Sequence, residues 1–76
     1  MNAEYYLRRH LRTNAPLVVY RFFADERQAP EVFSPKHGWE PDADVWLLRM
    51  SGELSEADRI TELEASQVIA SWGGRL

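Results

Sequence analysis

The chain has 76 residues, a formal net charge of −3 and no cysteine. This length allows a single domain spanning residues 1–76. Without cysteine there is no disulfide framework, no thiolate metal cage and no thiol nucleophile. The longest apolar runs have four residues, and the first ten residues lack the apolar core of a secretory signal. These features predict a cytoplasmic protein that does not cross a membrane.

The composition is that of a globular protein with a small core. Hydrophobic residues make up 45% of the chain and aromatic residues 12%, which favours order over disorder. A chain of this length buries only roughly 60% of its unfolded surface. Because oligomerisation would add buried surface, we expect a homodimer. The sequence contains eight arginines and one lysine; arginine codons are rich in G and C, which indicates a bacterial or phage source.

The first elements of the chain predict a β-hairpin. Residues 4–12 alternate between an apolar and a polar face, as a half-buried strand does, although two leucines four residues apart also allow a helix. The polar face carries Tyr6, Arg8, His10 and Arg12. Residues 13–16 are a turn signal. Residues 17–23 are rich in β-branched and aromatic residues and are apolar on both faces apart from Arg21, which predicts a central strand.

The next segments are interpreted as loops around a short strand. Residues 24–29 are polar and predict a loop. Residues 31–34 lie between two prolines, which cannot donate to a β-ladder, so we expect a short edge strand there. Residues 36–41 predict a second loop, with Trp39 folded back onto the core.

Residues 44–50 have two interpretations. They predict a short helix that Asp42 and Asp44 would cap and Gly52 would end. The same apolar run is also compatible with a buried strand, because short apolar runs do not distinguish the two.

The last element is the best-defined helix in the sequence. Thr61 and Glu64 have the spacing of a capping box. The apolar positions then recur three, four and seven residues apart, as on one face of a helix. These positions are Ala65, Val68, Ile69 and Trp72. Gly73 and Gly74 follow and are expected to end the helix. The elements together predict an α+β fold, in which a small antiparallel β-meander of two or three strands packs one face against one or two C-terminal helices.

Charge is distributed unevenly along the chain. Residues 1–21 hold four arginines against one glutamate, a net charge of +3, and residues 40–64 hold eight carboxylates against two arginines, a net charge of −6. This pattern has three interpretations: ordinary solvated faces, a self-complementary surface for a second copy or another protein, or nucleic-acid binding through a basic strand face. The overall acidity opposes the third.

The sequence contains no recognised catalytic or cofactor motif. His10 and His37 are the only histidines, and the spacing of His37 to Glu40 and Asp42 matches no metal-ligand pattern. The serines lack a nucleophile elbow, and the glycines do not form a phosphate-binding loop. We therefore expect neither an enzyme nor a bound cofactor or metal.

These observations predict a small non-catalytic protein–protein interaction or regulatory module that self-associates. Its candidate contact surface is the polar strand face described above, or a sheet edge at Val32 and Phe33, because an open edge can pair with another chain. Trp39 is the tryptophan most expected to be exposed. Nucleic-acid binding through the basic, aromatic strand face is the alternative, and no small-molecule substrate is inferred.

Overall fold

A computed structural model describes residues 3–76, which form an α+β fold with a five-stranded antiparallel sheet and two helices. The strands are β1 (Ala3–Arg9), β2 (Pro16–Phe23), β3 (Glu31–Ser34), β4 (Gly38–Pro41) and β5 (Arg59–Ile60). The helices are α1 (Val45–Ser51) and α2 (Glu62–Ser71), and the strand order is β4-β3-β2-β1-β5. The α+β class and the C-terminal helices are as predicted, but the expected two or three strands were too few.

β1 and β2 form the predicted hairpin at the centre of the sheet. Tyr6 pairs with Tyr20 and Leu7 with Val19, so each antiparallel pair places two large side chains on the same face. The strand interpretation of residues 4–12 is correct as far as Arg9, where the strand ends. The helix alternative is wrong.

The region of β3 and β4 differs from the prediction. Residues 31–34 form a strand, but β4 covers its outer side, so Val32 and Phe33 do not lie at a sheet edge. The segment expected to be a loop, residues 36–41, contains β4. Gly38 has a φ of +71°, which lets the chain turn directly from β3 into β4. This short strand begins with glycine and ends with proline, two residues that are unfavourable in strands, so its sequence indicated a loop.

The two helices cover opposite faces of the sheet, whereas the sequence predicted helices on one face. On the α2 face, Leu7, Val19 and Phe33 pack against Ala65 and Ile69. The α1 face buries another set of side chains, Tyr6, Tyr20, Phe22, Val45 and Leu54. β2 is apolar on both faces, so a helix on one side would have left the other side in water.

The helix interpretation of residues 44–50 is correct. α1 ends at Gly52, whose φ of +86° is the left-handed conformation typical of a residue after a helix. The expected aspartate cap is only partly present. Asp44 occupies the capping position without a side-chain bond to the helix, and its own N–H donates to Asp42 at 3.0 Å.

α2 begins with the predicted capping box. The Glu64 N–H donates to the Thr61 hydroxyl at 3.0 Å, and the Glu64 carboxylate accepts from the Thr61 N–H at 3.1 Å. Beyond the helix, Gly74 lies against Phe33, where a Cβ atom would overlap the aromatic ring. This close approach, rather than a turn, requires glycine at position 74.

The 3₁₀ turn Glu56–Asp58 and strand β5 were not predicted. A second capping box starts the turn: the Asp58 carboxylate accepts from the Ser55 N–H, and the Ser55 hydroxyl accepts from Ala57. The Ser-x-x-Asp spacing was a sequence signal for this turn. β5 then pairs with Tyr5 and Tyr6 of β1. Among residues 3–76, neither helix has the length and apolar composition needed to cross a bilayer.

Candidate functional site

The tip of the β1–β2 hairpin is held by bonds within its own loop. The His10 N–H donates to the Ala15 carbonyl at 2.8 Å, and the Asn14 N–H donates to the His10 carbonyl at 2.9 Å. The His10 Nδ1 accepts from the N–H groups of Arg12 and Thr13 at 3.1 and 3.3 Å. Asn14 has a φ of +61°, a conformation that asparagine tolerates better than most residues. His10 therefore shapes the tip as well as lying on its surface.

The arginines nearest the hairpin tip, Arg8, Arg9 and Arg12, are exposed. Arg8 lies on the α1 face with its guanidinium 3.8 Å from the Glu53 carboxylate. Hydrogen bonding to Tyr20 and attraction to its hydroxyl raise the pKa of the Arg8 guanidinium above its usual value. The Arg9 guanidinium donates to the Asn14 carbonyl at 3.2 Å. Within the described chain, Arg12 has no carboxylate at ion-pair distance. The hairpin therefore presents a positive surface that is only partly neutralised.

Two leucines accompany these arginines. Leu11 is fully exposed at the tip and Leu17 is 42% exposed at the start of β2. A shallow groove of about 410 Å³ lies here, and its walls consist of cationic, histidine and leucine side chains. The lining residues are Arg8, Arg9, His10, Leu11, Arg12 and Leu17. We call these six residues the hairpin surface. It combines two exposed leucines with three arginines.

A larger groove of about 660 Å³ lies beside the outer edge of β1. Its floor includes Leu7, Leu54 and Ile60, and the hairpin forms its basic wall. The opposite wall is net acidic, because Glu53, Asp58 and Glu64 outnumber Arg59 there. The two signs of charge that are separated along the sequence thus face each other across this groove.

Only part of the predicted strand face is exposed to solvent. Arg8, His10 and Arg12 are exposed, as a contact surface needs, but Tyr6 is 5% exposed and packs beneath α1. Its ring meets the Phe22 ring edge-to-face at 5.4 Å. The aromatic side chain expected to accompany the arginines therefore belongs to the core, because α1 covers the face that the sequence left open.

The second predicted surface is also largely enclosed. Phe33 is 5% exposed and lies between Trp39 and Trp72, and Val32 is half-buried against the α1 cluster. Trp39 is half-buried on the α2 face, and its indole N–H donates to the Arg75 carbonyl at 3.0 Å. The prediction that Trp39 folds back onto the core is confirmed. Sequence reasoning missed Leu11 and Leu17, which were assigned to the apolar face and the central strand.

Charged residues of the two inter-strand loops lie at opposite ends of the sheet. The pairing register places the β3–β4 turn, with Lys36 and His37, at the same end as the hairpin. The loop with Asp25 and Glu26 lies at the opposite end, near the start of α1. Lys36 therefore lies at the same end of the sheet as the hairpin arginines, and Asp25 and Glu26 lie at the far end.

Two ionisable groups away from the hairpin lie close to charged partners. Arg49 lies 3.0 Å from the Glu4 carboxylate and 4.9 Å from the centre of the Phe22 ring, so it covers the aromatic core of the α1 face. His37 lies 3.8 Å from Glu40. In the part of the chain that the structure describes, no three His, Asp or Glu side chains come together as a metal site would require.

Comparisons with protein-family models, with curated proteins and with solved structures find no match for this chain.

Proposed function

We propose that this chain is a small, non-catalytic protein–protein interaction or regulatory module of a bacterium or phage, that it acts in the cytoplasm, and that it self-associates. Its contact region is the hairpin surface. The observation that carries the proposal is Leu11, a large apolar side chain fully exposed among arginines on an ordered tip. An exposed leucine gains about 1.5–3 kcal/mol when a partner buries it.

The order of the tip adds to this argument. His10 and Asn14 fix the loop before any partner arrives, so less conformational entropy is lost on binding. The arginines around Leu11 give such a contact its specificity and its dependence on salt. A central apolar anchor within a charged rim is the common arrangement of protein interfaces.

Nucleic-acid binding remains the second candidate, and the exposed Arg8, Arg9 and Arg12 favour it. Single-stranded nucleic acids also require exposed rings on which bases stack, whereas Tyr5, Tyr6 and Tyr20 of the hairpin are buried. The net charge of −3 further opposes phosphate binding. A protein partner therefore accounts for more of the hairpin surface.

Light scattering coupled to size-exclusion chromatography tests the main proposal. We expect the mass to rise above 8.8 kDa as the protein concentration increases from low to high micromolar, and added salt to reverse this rise. Leu11→Ser should weaken association. The matched control is Leu63→Ser, which removes another exposed leucine, on α2, and should leave the mass unchanged. Equal effects of the two substitutions would contradict a role for the hairpin surface.

Fluorescence anisotropy with single-stranded and duplex probes tests the alternative. The main proposal predicts no binding at low salt. If binding occurs, Arg9→Ala and Arg12→Ala should each reduce the salt dependence by about one released ion. That result would mean that the hairpin surface binds a nucleic acid and that the proposed protein partner is wrong.

A further inference from the structure

The outer edge of β1 is open at the end nearest the hairpin. In residues 3–76, β5 pairs with Tyr5 and Tyr6 only, and Tyr6 faces Arg59. Extending this antiparallel register would place Asp58 beside Leu7, but Asp58 belongs to the 3₁₀ turn and does not pair with β1. Residues 7–9 therefore have β2 on one side and no strand on the other. An edge of this kind can accept a further strand.

The groove beside this edge carries both signs of charge. β1 forms its basic wall with Arg8 and Arg9. The other wall is net acidic, with Glu53, Asp58 and Glu64 against Arg59. A purely acidic peptide would be attracted by the first wall and repelled by the second. A partner that also presents both signs satisfies both walls, and a second copy of this chain is such a partner.

We propose that two copies of the chain dimerise by pairing residues 7–9 of β1 antiparallel with the same residues of the second copy. This inference rests on the proposed self-association and names its interface. The two-fold symmetry of such a contact closes on itself, which gives a dimer rather than a fibre. The two sheets become one continuous sheet, and the open edge of each copy is covered.

The same geometry brings opposite charges together. Past Arg9 the chain continues as the hairpin tip, and in an antiparallel pair this tip runs towards the β5 end of the other copy. There it meets the acidic segment, residues 53–64, which holds five carboxylates and one arginine. The tip carries Arg9 and Arg12. The contact occurs twice by symmetry, so it offsets the repulsion between the two Arg8 side chains, each of which also lies near its own Glu53.

A charge-swap experiment tests this arrangement. One variant carries Arg9→Glu with Arg12→Glu, and the other carries Glu53→Lys with Glu56→Lys, four substitutions at exposed positions. We expect each variant alone to be monomeric in light scattering, because both symmetric contacts become repulsive. An equimolar mixture should restore the dimer as a heterodimer, because both contacts become attractive again. Asp25→Lys with Glu26→Lys is the charge-matched control at the opposite end of the sheet and should leave the dimer intact.

Amide hydrogen exchange supplies a readout of the strand pairing itself. Exchange within residues 7–9 should slow as the dimer forms, and exchange in β4 should not change. A dimer that neither charge variant disrupts, or that leaves residues 7–9 unprotected, would overturn this interface while self-association would stand.

The wild-type protein also separates this inference from the proposed function. Monomeric wild-type protein at all concentrations would overturn the dimer. If it then captured a specific protein through Leu11, the broader interaction role would survive; if it captured none, that role would fail as well.

Discussion

The guanidinium of Arg21 stacks on the indole ring of Trp39, with its central carbon 3.8 Å from the ring centre. Its Nε donates to the Glu31 carboxylate at 2.7 Å. β2, β3 and β4 each supply one of these three side chains, so the cluster ties the outer strands to the central one. Trp39, considered as a contact residue from the sequence, is therefore held in place by interactions within the chain.

Arg21→Lys should destabilise the fold by about 1–2 kcal/mol, because lysine lacks the planar group that stacks on Trp39 and bonds to Glu31 together. Urea unfolding followed by tryptophan fluorescence measures the change. Arg27→Lys is the matched control, since the ion pair of Arg27 with Asp25 is exposed and contributes little to stability. Equal losses for the two substitutions would show that the stacked geometry is unimportant.

Gly74→Ala should cost about 1–3 kcal/mol of unfolding free energy, because the added methyl group overlaps the Phe33 ring. Phe33→Leu removes the ring atoms that the added methyl group would overlap. In a double-mutant cycle, Gly74→Ala should therefore cost less in the Phe33→Leu background than in the wild type. Additive costs would mean that the glycine is required for another reason.

Alkaline pH should unfold the protein through its buried tyrosines. Burial raises the pKa values of Tyr5 and Tyr6 above 10.0, so the unfolded chain loses these protons first. Their contribution to stability is therefore complete below pH 10 and is lost as the pH rises through the folded-state values. Thermal unfolding across this range should show a shallower loss for Tyr6→Phe than for the wild type. Identical slopes would contradict a buried Tyr6 hydroxyl.

His10→Ala should loosen the hairpin tip without unfolding the protein. The substitution removes the Nδ1 acceptor for the N–H groups of Arg12 and Thr13, so their hydrogen exchange should accelerate. The global free energy of unfolding should fall by no more than about 1 kcal/mol, because the tip is exposed. His37→Ala, at the β3–β4 turn, should leave exchange at the tip unchanged. Unaltered exchange in the His10 variant would contradict the role given to this imidazole.

Elements defined by neighbouring residues were predictable from the sequence. The capping box of Thr61 and Glu64 and the apolar stripe of α2 involve residues within a single helix. β1 alternates between apolar and polar residues, and β2 is almost continuously apolar. Each pattern is long enough to identify a strand without its neighbours. Because these signals are local, no knowledge of the rest of the fold was needed to interpret them.

Elements defined by distant partners were not predictable. β4 and β5 are short, and each exists because a strand already in the sheet offers it an edge. The same limit affected the candidate site. The alternating pattern of β1 placed Tyr6 on the polar face of the strand, and only the position of α1 determines that this face is buried there. The arginines of the hairpin were identified because exposure is the ordinary state of that residue type.

The most direct test of the central claim, that the hairpin is the contact surface of this module, is an amide chemical-shift titration against the concentration of the protein itself. The account predicts concentration-dependent shifts in residues 7–14 and 53–64, which salt suppresses, and constant shifts in β4. Constant spectra from micromolar to millimolar protein, or shifts confined to the β4 edge, would contradict it.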